Sequence, residues 1–116
     1  MKMIEIIIDF GYMAQFENCG NFISFVKETI ETKHNFKGIK LFDYLGKEIV
    51  LIGRSDKKTI FNLAMMASDI MDIVYEYNKT RREHGKSLFV VDAYTITNNN
   101  VFVSDRKYLC RSNNVQ

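Results

Sequence analysis

With 116 residues, 47% of them hydrophobic and 26% charged, the chain has material for one packed core and too little length for a second. That composition excludes intrinsic disorder, and a net charge of +2 falls short of the clustered basic surface of a dedicated nucleic-acid binder. Cys19 and Cys110 lie far apart with no CxxC or Cys/His cluster, and no signal-peptide pattern opens the chain. A zinc-held or disulfide-stapled secreted domain is therefore not expected, and residues 1–116 are read as a single cytoplasmic domain.

In chain order, Met3 to Phe10 is a β-branched run with Ile4, Ile6, Ile8 and Phe10 on one face, which predicts a strand. Gly11 ends it, and residues 11–20 are expected to form a loop or one helical turn. From Asn21, read as an N-cap, the spacing of Phe22, Phe25, Val26 and Ile30 predicts a helix over 22–34, stopped by Asn35 and Gly38. The runs 39–44 and 48–52 flank Leu45-Gly46-Lys47, the pattern of an antiparallel hairpin.

The segment from Asp56 to Glu83 carries two apolar rows at helical spacing. Ile60, Ala64, Ala67, Met71 and Val74 form one; Leu63, Met66, Ile70, Ile73 and Tyr77 form the other, with Asp69, Asp72, Glu76 and Lys79 opposite. A long helix results, closed by Gly85. It cannot span a membrane, because Asp69, Asp72 and Glu76 interrupt its apolar stretch. Leu88 to Thr97 predicts a further strand, Asn98-Asn99-Asn100 a turn, and 101–103, extended by 106–111, a returning strand. The order β-α-β-β-α-β-β implies an α+β two-layer sandwich. Its antiparallel sheet of about five strands is covered by two helices, and the nearest topology is ferredoxin-like with an added strand.

Chemistry concentrates at the ends of the long helix. Arg54, Ser55, Lys57, Lys58 and Thr59 lie at its start, where free N–H groups and the helix dipole favour an anion and first-turn lysines sit against the dipole. A phosphate or a partner's carboxylates would relieve that conflict. Lys79, Arg81 and Arg82, followed by His84 and Lys86, end the helix and complement its negative terminus. These clusters form a candidate anion or nucleic-acid surface, although the GxxxxGK[ST] frame of a P-loop is missing.

His34 and His84 are read as surface groups at helix ends, and Cys19 as a thiol that needs nearby cations to become reactive. Asp9, Asp43 and Asp92 form a catalytic or Mg²⁺ site only if two of them meet. No pattern specifies a cofactor, a metal or a catalytic set. The expected function is therefore non-enzymatic protein–protein interaction, with a protein partner or self-association; nucleic-acid or nucleotide-phosphate binding is the alternative. The Ile, Lys and Asn richness without proline or tryptophan is that of a low-GC genome. In so short a chain it suggests a phage or mobile-element accessory protein, such as an inhibitor of a host defence enzyme.

Overall fold

The computed structural model describes residues 2–99, without the side chains of Asn98 and Asn99. In chain order the elements are β1 (Lys2–Asp9), α1 (Gly11–Ala14), α2 (Gly20–Lys33), β2 (Lys40–Tyr44), β3 (Glu48–Arg54), α3 (Lys57–Glu83) and β4 (Asp92–Asn99). The strands form one antiparallel sheet in the order β2-β3-β1-β4. It follows that β1 and β2 run parallel with β3 between them, and β3 and β4 run parallel with β1 between them. Two interleaved βαβ units, bridged by α2 and α3, give the ferredoxin-like strand order. The expected strand over 101–103 and 106–111 lies outside the described residues.

Local chemistry explains where the elements begin and end. Helix α2 starts slightly before the position its apolar spacing predicts, because Asn18 rather than Asn21 serves its entry: Asn18 Oδ1 accepts a hydrogen bond from the Gly20 N–H at 2.8 Å. The β2–β3 hairpin turns through Leu45 and Gly46, whose φ values of 56° and 65° are both left-handed. Glycine takes that conformation without strain, and Asp43 Oδ1 fixes the turn by accepting from Gly46 N–H at 3.0 Å. Asp56 caps α3, accepting from the Thr59 N–H at 2.9 Å and its hydroxyl at 3.1 Å. The last described strand is also shifted from its expected place: residues 88–91 precede it, because pairing with β1 begins only at Asp92 opposite Asp9, and Asn98 and Asn99 continue it rather than turning it, because Met3 and Lys2 pair with them across the sheet.

All three helices lie on one face of the sheet. There Ile8, Phe10, Ile49 and Leu51 pack with Phe22, Ile23, Val26 and Ile30 of α2 and Leu63, Met66, Ile70 and Val74 of α3. The opposite face carries a second cluster of Ile7, Val50 and Ile96, flanked by Phe42, Tyr44 and Tyr94. The central strands are buried on both sides, to the point that even Glu5 and Glu48 are only 3% and 4% exposed.

Candidate functional site

The start of α3 gathers more charge than its own sequence supplies. Arg54, Lys57 and Lys58 are exposed there, and Lys2 joins them because the Ser55 N–H donates to the Lys2 carbonyl at 3.1 Å. Lys37 and Lys40 come from the start of β2, since Lys40 is level with Ile52 and Gly53 packs against Gly38 and Ile39. Asp56 is the one carboxylate within residues 2–4, 37–40 and 53–59. Its carboxyl is held below the usual range, chiefly by the Thr59 backbone N–H and then by the Thr59 hydroxyl. Thr59 is therefore committed to the cap, and the helix start already holds an anion of its own.

Lys79, Arg81 and Arg82 lie at the other end of α3, roughly 32–36 Å from Lys58 at 1.5 Å per residue. The two basic clusters cannot grip the same small anion. Arg81 is also turned inward: 8% exposed, it pairs with Glu17 through Nη1 to Oε1 at 2.9 Å and Nη2 to Oε2 at 3.2 Å. Its Nε donates to the Ser87 carbonyl at 2.6 Å, and its guanidinium lies 4.4 Å from the Phe89 ring centre. That set uses the fork of donors to tie the end of α3 to two loops. Lys79 and Arg82 remain at the surface, with Lys79 3.6 Å from Glu76.

Between these ends runs a groove of about 440 Å³, bounded by α2 through Phe25, Thr29, Ile30 and Lys33 and by α3 through Asp69, Asp72, Ile73, Glu76, Tyr77 and Thr80. It exists because α2 and α3 each pack down on the sheet, leaving the outer flanks of both helices without a third neighbour among the described residues. Phe25 is 55% exposed and Tyr77 39%, although Tyr77 also packs on Phe22 with ring centres 4.3 Å apart. At one end of the groove His34 Nε2 and Lys33 Nζ both meet Asp69 Oδ2, at 2.5 and 3.1 Å. These contacts pull the Asp69 carboxyl below its usual range, the His34 hydrogen bond contributing most. His34 is thus a cross-helix tie, with a side chain only 10% exposed, rather than the surface group its position suggested.

The remaining candidates are structural in their contacts. Cys19 is buried, its thiol 3.7 Å from the Glu17 carbonyl, and burial followed by the Glu17 charge pushes its pKa up, away from a reactive thiolate. Asp9 and Asp92 do meet as cross-strand partners, yet Asp9 Oδ1 accepts from Gly11 N–H at 2.7 Å, and Asp43 serves the hairpin. Among the described residues no three His, Cys, Asp or Glu side chains are grouped to hold a metal, and no helix is long and apolar enough to cross a membrane. The groove was not singled out by sequence because Phe25, Ile73 and Tyr77 fit the helical stripes of a buried face. The available signal was surplus width: the two apolar rows of α3 together cover more than a sheet can hide. Comparison of the chain with protein-family models, curated proteins and solved structures finds no match.

Proposed function

We propose that this protein is a non-enzymatic binding module that seats a protein partner in the groove between α2 and α3. The observation carrying this reading is the exposure of Phe25 and Tyr77 beside Ile73 in a solvent-open depression, aromatic and aliphatic surface of the kind that anchors interfaces. A phage or mobile-element accessory protein that inhibits a host enzyme in the cytoplasm by occupying one of its surfaces fits the short, low-GC sequence. A photo-reactive residue at position 25 tests the reading in living cells. A discrete protein adduct is expected there, absent when the label is at position 57 and lost when Thr29→Arg fills the groove. Identical adducts from both positions, or none from position 25, would sink it.

A second reading rests on a separate observation, the convergence of Lys2, Lys37 and Lys40 on Arg54, Lys57 and Lys58 around one carboxylate. Such a pole suits a polyanion such as nucleic acid. Its mark is salt dependence: binding to a 20-nucleotide single strand should fall by at least about tenfold between 50 and 200 mM salt. It should also weaken in Lys57→Ala/Lys58→Ala. Binding that ignores salt would reject this reading.

A further inference from the structure

We infer that the occupant of the α2–α3 groove is a cationic amphipathic helix of the partner protein, an inference that rests on the groove being the binding surface. Shape supports a helix. A second depression abuts the groove at Tyr77 and Thr80 and reaches His84 and Lys86, and a third abuts it at Phe25 and reaches Glu28 and Thr32. From Asp69 to His84 the groove follows α3 for about four turns, roughly 22 Å at 1.5 Å per residue. A third helix laid between two others packs its ridges into such a trough, and its residues at i, i+3 or i+4 and i+7 meet the apolar floor of Phe25, Ile30, Ile73 and Tyr77.

Charge fixes the sign of the occupant. Asp69, Asp72 and Glu76 stand along the α3 wall at helical spacing, and Lys33, the cation opposite them, is already paired with Asp69. Among the described residues no cation lies within ion-pair distance of Asp72, and the Glu76 contact with Lys79 is long, at 3.6 Å, with both side chains mostly in water. Lysine or arginine on the occupant's flank would complement Asp72 and Glu76, whereas a phosphate or an acidic helix would be repelled there. The far end of the trough is rimmed by His84 and Lys86, so the cations belong to the half of the occupant that lies over Asp72 and Glu76.

The probes are two synthetic 16-residue amphipathic helices with the same leucine pattern, one carrying lysine and the other glutamate on its polar face. Each is titrated into the full chain and followed by amide NMR shifts and calorimetry. The lysine helix should shift Phe25, Ile73 and Tyr77 and bind about tenfold more tightly than the glutamate helix, a preference that Asp72→Lys/Glu76→Lys reverses. Both replaced residues are exposed, and an unchanged circular dichroism spectrum would confirm that the variant folds. Equal binding of the two helices in the groove, or shifts confined to other surfaces, overturns the cationic assignment. If adducts at position 25 persist in that event, the groove still binds a partner and only the chemistry of the partner is wrong; if they too are absent, both readings fall.

Discussion

Asp69 is the point at which α2 and α3 are held together by charge, and its behaviour with pH follows from the side chains around it. Its Oδ2 accepts from His34 and Lys33, and these contacts lower its pKa. A carboxyl depressed in the folded state contributes stability that is complete above its unfolded pKa and is lost as pH falls through its folded one. Asp69→Asn should therefore cost roughly 1 kcal/mol at pH 7, a modest value because Lys33 is mostly in water. The gap from wild type should hold down to the ordinary carboxylate range and close below it. Urea unfolding at pH 7, 5 and 3 checks this; a gap no smaller at pH 3 than at pH 7 would contradict the assignment.

At the scale of elements, α3 shows what a sequence pattern can and cannot carry. Its 3.6-residue period was legible throughout; its cap, which the residues alone leave between Ser55 and Asp56, is Asp56, which precedes Thr59 by the three residues that let a carboxylate reach the backbone. Which of its two apolar rows faces the sheet was not legible. Neither does so along its whole length: Leu63, Met66 and Ile70 of one row and Val74 of the other are buried, whereas Ile60 and Ala64 at the start and Tyr77 near the end are exposed, a choice that depends on how the helix is rolled against β1 and β3. Arg81 was misread for a related reason: a cation near a helix end is adequately explained by the dipole, and its partner Glu17 is 64 residues away. Arg81→Ala should destabilise the fold by about 2 kcal/mol, and Arg81→Lys should recover less than half of it, because an ammonium cannot span both Glu17 oxygens and the Ser87 carbonyl. Thermal unfolding of the two variants decides; full recovery by lysine would reduce the contact to simple charge.

For the molecule as a whole, the informative feature is that the two central strands of its sheet are dry on both sides. An antiparallel sheet with one wet face alternates apolar and polar residues, but Ile6-Ile7-Ile8 and Ile49-Val50-Leu51-Ile52 do not alternate, and such unbroken runs belong to strands buried on both faces. Val50 and Ile7 bear this out at 0% and 1% exposure, on the face away from every described helix. The helix-side core alone therefore does not account for the stability of this domain. Val50→Ala should cost roughly 2 kcal/mol, the loss expected for methyl groups removed from a packed interior. Ile60→Ala, on the helix side but 38% exposed, should cost well under half as much. That ordering is the reverse of what a sheet with a solvated outer face would give, where Val50 would be the dispensable side chain. Chemical denaturation of the two variants, with the dependence on denaturant unchanged so that unfolding exposes the same surface, distinguishes the cases.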